Sequence, residues 1–210
     1  MEDNTLYVPE PAIRRLPWYL ACVSRLRAQG VEYVSSTVIS HQINVDSSQI
    51  AKDLSYLNIK GKTRIGYEVK ELERGLLDFL GFHQVHNAVM MGVGSLGSAL
   101  IADSGLSRYG LNIVAGFDVN PALVGTEIGG KPIYDLSELS WRRKQLNAEI
   151  AVIAVPVERA AEVAELCVAS GIKALWNFTP FRIKTSPDIT IQNTSIYAHL
   201  AVMYNRMNTK

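Results

Sequence analysis

Three features of this 210-residue sequence predict an α/β protein built from two successive domains. The first eighty residues carry apolar side chains at helical spacing, punctuated by polar caps and glycines. From about residue 88 the texture changes to apolar runs of strand length alternating with helical segments, which means a parallel sheet covered on both faces. At the junction stands "MMGVGSLGSALIADSG", Met90 to Gly105, whose Gly92, Gly94 and Gly97 follow a strand-like run and open a helix. The boundary falls in "FHQVHN", giving domains 1–84 and 85–192 and a terminal segment 193–210.

Composition frames what the chain can be. With 48% hydrophobic and 20% charged residues it is an ordinary globular sequence. A net charge of +1 leaves any anionic partner to be met by a local patch. Cys22 and Cys167 show no CxxC or metal-ligand spacing and read as buried thiols; no metal site is expected. The opening "MEDNTLYVPEPAIRR" has no apolar signal core, and no segment reaches the roughly 18 apolar residues of a membrane helix. A cytoplasmic location without membrane contact is the expectation.

In the first domain, Pro9 and Pro11 suit the first turn of a helix, and Ile13, Leu16, Leu20, Val23 and Leu26 continue it to Gly30. Ser35 or Ser36 caps a short second helix. Asp46 or Ser47 caps a third, with Ile50, Leu54 and Leu57 as its buried stripe. "KGKTRIGYEV" reads as a small β-hairpin, with Gly61 and Gly66 bracketing basic residues and Ile65, Tyr67 and Val69 alternating. "KELERGLLDFLG" is a fourth helix stopped by Gly81. Three helices and a hairpin in this order describe a winged helix.

In the second domain, strands are expected at 88–91, 111–117, 150–155 and 173–178, with shorter pieces at 132–134 and 189–192. Helices are expected at 95–103, 136–146 and 157–170. The closing "SIYAHLAVMYNRM" places Ile196, Leu200, Val202 and Met203 at helical spacing.

The glycine stretch is suited to a dinucleotide pyrophosphate. Gly92 permits the tight turn, Gly94 a close backbone approach, and Gly97 close packing of helix on strand. The helix then offers its positive end to the phosphates. Val93, Ser95 and Leu96 complete the loop. Asp118 ends the second strand, 21 residues after Gly97, where an acid accepts hydrogen bonds from the adenosine ribose and repels a 2′-phosphate. With no Arg or Lys in Val119–Asn120–Pro121, NAD(H) is favoured over NADP(H): a Rossmann-type NAD-binding domain.

Nothing equally specific points to catalysis. His41 lies in the second helix, His83 and His86 at the domain boundary and His199 in the terminal helix, none of them placed as an acid or base, and after the last strand too little chain is expected to remain for a substrate domain. The coenzyme is read as sensed rather than turned over, and no catalytic residue is assigned. Two rivals are a small NAD-dependent oxidoreductase with a helical appendage, and a CoA- or nucleotide-binding scaffold. CoA also carries a ribose, phosphorylated at its 3′ position.

The first domain supplies a nucleic-acid signal. Across residues 14–70 there are nine Lys/Arg against four Asp/Glu, with Arg14, Arg15, Arg25 and Arg27 on the first helix and Lys60, Lys62 and Arg64 in the hairpin. Ser48, Gln49, Lys52 and Tyr56 lie opposite the apolar stripe of the third helix, placed to reach base edges and phosphates, with Gln49 suited to adenine. The partner read from this is double-stranded DNA.

Taken over the whole chain, "KDLSYL" (52–57), "RIGYEV" (64–69), "GVGSLGSAL" (92–100), "FDVNPALVG" (117–125), "AVP" (154–156) and "GIKALWNFTP" (171–180) resemble the Rex family of redox-sensing transcriptional repressors. The resemblance implies a homodimer whose terminal helices exchange between subunits. It implies NAD⁺ and NADH competing for one site, with NADH closing the dimer and releasing the operator. By carry-over, Val155 and Pro156 line the coenzyme, Asn177, Thr179 and Pro180 border its nicotinamide end, and Lys52, Tyr56, Lys62 and Arg64 face DNA. The chain departs from the family pattern at Ala51, where an Arg is usual, and at Arg64, often a Gly. It also departs at Ala21, Asp103 and Ser195, which match positions where some members use an Arg, a Tyr and an Asp to couple NADH to closure.

Overall fold

A computed structural model describes residues 8–209. The chain divides after Gln84 into two compact units.

In the first unit, α1 (Glu10–Ala28) begins after Pro9 with Pro11 in its first turn, where the missing N–H is no loss. It buries Ala12, Leu16, Tyr19, Leu20, Cys22, Val23 and Leu26 on one face. Pro17 lies inside the helix and removes one i→i−4 bond; the buried face that includes Leu16, Tyr19 and Leu20 holds the helix regardless. A two-residue strand β1 (Tyr33–Val34) leads into α2 (Ser36–Ile43), whose Ser35 cap accepts from the Val38 amide. Next, α3 (Ser47–Ser55) is capped by Asp46, which accepts from the amides of Ser48 and Gln49. Strand β2 (Tyr67–Glu68) and α4 (Val69–Leu80), ended by Gly81 in the left-handed region, complete the unit. The core gathers Leu16, Val34, Ile39, Ile50, Leu54 and Leu72.

The wing differs from the simple hairpin that the sequence predicts. Its two arms share a single bridge, Lys62 to Gly66, and β2 pairs antiparallel with β1 instead. Gly66 is the reason: at φ +104° it passes so close to β1 that a Cβ would stand 2.4 Å from the Val34 carbonyl oxygen. Val69 is not a strand residue but the buried first residue of α4.

The second unit is a seven-stranded sheet. Strand β3 (His86–Met91) leads through the glycine loop into α5 (Ser95–Ala102) and a short α6 (Gly105–Arg108) that the sequence reading lacks. Then follow β4 (Leu111–Asp118), the small strand β5 (Glu127–Ile128) and β6 (Lys131–Asp135). A 3₁₀ turn and α7 (Leu139–Gln145) precede β7 (Ile150–Ile153). A second 3₁₀ turn and α8 (Ala160–Ala169) lead to β8 (Ala174–Asn177), β9 (Thr190–Asn193) and α9 (Ile196–Asn208).

The sheet order is β5-β6-β4-β3-β7-β8-β9, with only β5–β6 antiparallel. Without the β5 edge this is the doubly wound dinucleotide-binding order, and ligands sit where the winding reverses, here between β3 and β7 at their C-terminal ends. Ala88–Met91 of β3 and Ala151–Ile153 of β7 are apolar and buried, as a doubly covered sheet requires. Both cysteines are buried and free, and burial pushes the Cys167 thiol up to about 12. Among the described residues no group of His, Cys, Asp and Glu could hold a metal, and no helix is long and apolar enough to cross a membrane.

Candidate functional site

The glycine loop is shaped by what each position has around it. Gly92, at φ +85°, has the Val155 Cγ1 and the Ala154 carbonyl oxygen within 2.9 Å of where a Cβ would stand. A Cβ on Gly97 would lie 2.0 Å from the Gly92 carbonyl oxygen. Gly94 is the opposite case: nothing lies within 4 Å of its missing Cβ. The loop is tight on the protein side and open on the other, which is what an approaching pyrophosphate needs. α5 has no side-chain cap, so the amides of its first turn remain available to an anion. Exposed Ser95 and Leu96 flank this opening, while Val93 is buried and contributes only backbone.

Asp118 ties the strand ends together. Its Oδ2 accepts from the Val93 amide at 2.6 Å, and its Oδ1 accepts from the amides of Val119 and Asn120 at 2.8 and 2.9 Å. A carboxylate has about four acceptor positions, so these three bonds leave one for a ribose hydroxyl. A cleft of about 340 Å³ opens beside it, lined by Gly92, Asp118, Val119, Leu136, Val155 and Pro156, with Arg159 at its edge. The open glycine face, the partly satisfied acid and the apolar walls fit an adenine dinucleotide. Leu136, Arg159 and Val163 are cleft residues that the sequence reading misses. The signal for the last two is their position in the first turns after the β7 loop, one turn apart.

Asn177 ends β8, Thr179 and Pro180 follow it, and none of the three lines this cleft. Asn177 is fully buried and its amide is taken up internally. Nδ2 donates to the Phe181 carbonyl and to Asn193 Oδ1, and Oδ1 accepts from the Thr179 amide. Its side chain therefore shapes the loop 178–183; Thr179 is buried and Pro180 exposed.

In the first unit, exposed Ser48 and Lys52, together with half-buried Gln49 and Tyr56, sit on or just after α3, and Lys60, Lys62 and Arg64 are exposed along the wing. Lys62 Nζ donates to the Tyr33 hydroxyl at 3.2 Å, which raises its pKa. Arg64 occupies the left-handed region at φ +63°, where a residue with a Cβ is strained.

The arginines of α1 contribute less to a basic face than their number implies. Arg14 pairs with Glu10, Arg15 with Asp53 and Arg27 with Glu73, and Arg25 donates to Gln42. Asp53 is the larger surprise, a fully buried acid on α3. Its Oδ1 accepts from Arg15 Nη2 and Gln49 Nε2, both at 2.8 Å. Its Oδ2 accepts from Arg15 Nε at 2.7 Å and the Tyr19 hydroxyl at 2.6 Å. Burial pushes its pKa up, but the bonds from Arg15, Tyr19 and Gln49 outweigh burial and hold it below the ordinary aspartate range.

Because the folded value is lowered, this network stabilises the fold above the unfolded aspartate value of about 3.9 and loses that contribution as pH falls through the folded value. Glu73, held down by Ser24 and Arg27 against its burial, adds to the same acid limb. Thermal unfolding followed by circular dichroism between pH 7 and 3 is expected to show a steep loss below about pH 4. The loss is expected to be shallower in Asp53→Asn; an equal slope in both proteins removes Asp53 from the account.

The comparisons fall on the same two units. The family described as putative DNA-binding protein N-terminus matches residues 7–55, and that described as CoA binding domain matches residues 83–181. A redox-sensing transcriptional repressor Rex of Bacteroides fragilis is 58% identical over 207 residues, covering 99% of this chain and 94% of its own. The crystal structure of RSP in complex with β-NAD⁺ and operator DNA aligns with a TM-score of 0.91 at 30% identity, covering 97% of this chain and 94% of that one. RSP in complex with β-NADH aligns at 0.86 and 30%, covering 96% and 95%.

Proposed function

This chain belongs to the Rex family of redox-sensing transcriptional repressors, and from that premise we propose that it binds operator DNA as a homodimer and releases it on binding NADH. It is a DNA-binding regulator, not an enzyme, and NAD(H) is its effector. Because a repressor works in the compartment that holds the DNA, a cytoplasmic location is part of the proposal.

The observation that carries the reading is the open glycine loop joined through the Val93 amide to Asp118, in a chain whose other unit is a winged helix. Gly92 and Gly97 let the loop pack tightly on the protein, Gly94 leaves room for the pyrophosphate, and the first-turn amides of α5 bind it. Asp118 accepts from the ribose, with Val119, Val155 and Pro156 beside it. When bound, the coenzyme supplies a nicotinamide ring that is charged and planar if oxidised, neutral and puckered if reduced.

The glycine loop and Asp118 hold the half that both forms share, so they give affinity without discrimination. Discrimination belongs to apolar groups at the other end, near Phe178, Thr179, Pro180 and the partner's terminal helix, which withhold hydration from a cationic ring. A ligand shifts a two-state dimer only by its ratio of affinities for the two states. Ser48, Gln49, Lys52 and Tyr56 then read the major groove, while Lys60, Lys62 and Arg64 hold phosphates and the wing's contacts. A dimer binds tightly only while its two reading helices match half-sites about one DNA turn, or a multiple of it, apart.

Three positions at which some family members couple coenzyme to closure are occupied differently here. Ala21 is exposed and apolar, Asp103 accepts from the Leu106 amide, and Ser195 caps α9 by accepting from the Ala198 amide. Each polar side chain serves its own helix end, so the coupling in this chain runs through other residues.

Asp118→Ala tests the reading. NADH affinity, titrated by fluorescence, is expected to fall about ten- to hundredfold, the loss of a charge-assisted hydrogen bond. Operator affinity of the coenzyme-free protein should stay within a few fold. An unchanged NADH titration would falsify the assignment of Asp118. Coenzyme A in the same titration addresses the match to the CoA binding domain family: tighter binding than NADH would replace the proposed effector.

A further inference from the structure

We propose that Asp53 is a positioning residue for base readout: it holds one amide hydrogen of Gln49 and thereby fixes the edge that Gln49 turns to the DNA. The inference rests on reading α3 as the helix that enters the major groove.

The argument begins with what Asp53 can accept. Arg15 supplies a cation through two nitrogens and Tyr19 supplies a hydroxyl, so the carboxyl is ionised and has no hydrogen to give. Only the NH₂ side of an amide can face it, and Gln49 Nε2 does so at 2.8 Å. An unrestrained glutamine can exchange its oxygen and nitrogen by a half-turn about the last side-chain bond. Here that turn would set a carbonyl oxygen against a buried anion, and it is forbidden.

Among the described residues Gln49 Oε1 accepts no hydrogen bond. The side chain is half-buried, one turn before buried Asp53 and at the border between the buried and exposed faces of α3. With one Nε2 hydrogen committed to Asp53, the amide keeps one acceptor and one donor. That pair complements adenine, which presents N7 as acceptor and its N6 amino group as donor in the major groove. Arg15 and Tyr19 both come from α1, so the orientation of the reading amide is referred to the body of the unit rather than to the exposed helix alone. Freezing the amide before contact also removes part of the side-chain ordering cost of binding.

The test uses the full-length chain and duplexes that it selects from a randomised library. In these, each adenine is replaced in turn by 7-deazaadenine, which lacks N7. For the unaltered protein, one adenine per half-site is expected to show a loss of about tenfold or more. Gln49→Ala should erase that penalty. Asp53→Asn should erase it too, because the uncharged amide lets Gln49 turn, and the double variant should add nothing. The penalty is a ratio of two affinities of the same protein, so a general change in DNA affinity, such as that from freeing the Arg15 charge in Asp53→Asn, cancels from it.

A folded Asp53→Asn protein that keeps the full penalty overturns the inference and leaves Gln49 as reader. A penalty that survives Gln49→Ala, or no penalty at any adenine, overturns the underlying reading of Gln49. Should Asp53→Asn fail to fold, the decision passes to the side-chain amide protons of Gln49 in the unaltered protein, observed by NMR and assigned with Gln49→Ala. One proton shifted, and exchange slower than at exposed Gln145, supports the proposal; resonances like those of Gln145 overturn it.

Discussion

Gly97→Ala is expected to abolish NADH binding while the first unit stays folded. The added Cβ would meet the Gly92 carbonyl oxygen at 2.0 Å and the Gly92 carbonyl carbon at 3.0 Å. Both are backbone atoms, so no side chain can swing aside. Gly92 cannot retreat, because the Val155 Cγ1 and the Ala154 carbonyl lie against its other side. The start of α5 must move off β3, at a cost of about 1–3 kcal/mol in stability, typical of overpacking, and the amides aimed at the phosphates move with it. Gly94→Ala is the informative companion: its methyl meets no atom within 4 Å, so stability should be untouched while the pyrophosphate is kept away. NADH titration and thermal unfolding of both variants separate the effects. Wild-type affinity in Gly97→Ala would remove the loop from the binding site.

Removal of residues 196–210 is expected to leave a monomeric or poorly soluble protein that has lost tight operator binding. On α9 no side chain is buried, and Ile196, Tyr197, Val202, Met203, Tyr204 and Met207 are each between 47% and 65% exposed. Ile196, Leu200, Met203 and Met207 follow one another along one face of the helix, a contiguous apolar strip of the kind that marks an association surface. A partner subunit covers that strip in the proposed dimer. Without it each chain presents one reading helix, and the pairing of two half-sites that gives a repressor dimer its affinity is gone. Sedimentation and a gel shift check this; a well-behaved dimer of the truncated chain would count decisively against α9 as the dimer element.

The glycine loop was legible because its evidence is local: three glycines, the apolar run before them and Asp118 at the end of the next strand all follow from spacing. The partners of Asp118 were not, since the same acid that suits a ribose also serves the Val93 amide. The wing departs from its expected hairpin for a different reason. Tyr67 pairs with Val34, far back along the chain, and alternation alone cannot say which strand an alternating segment joins. Asp53 leaves a trace in the sequence. It lies three residues after Ile50 and beside Leu54, on the apolar side of α3, where an acid needs a cation; Arg15 supplied it from α1. That pairing draws Arg15 partly out of the surface, and Glu10 and Glu73 offset the charges of exposed Arg14 and Arg27, so the count along the sequence overstates the basic face. Asn177 stands at the C-terminal end of β8, as the resemblance implies, but the internal bonds of its amide could not be read from spacing.

The three amides gathered by Asp118 have a bearing on response time. A loop held in shape before its ligand arrives needs no folding step on association. Exchange of one coenzyme form for the other is then limited by departure of the occupant, whose residence time follows from affinity. A repressor built in this way follows a swing in the cell's reducing state with a lag set by that residence time.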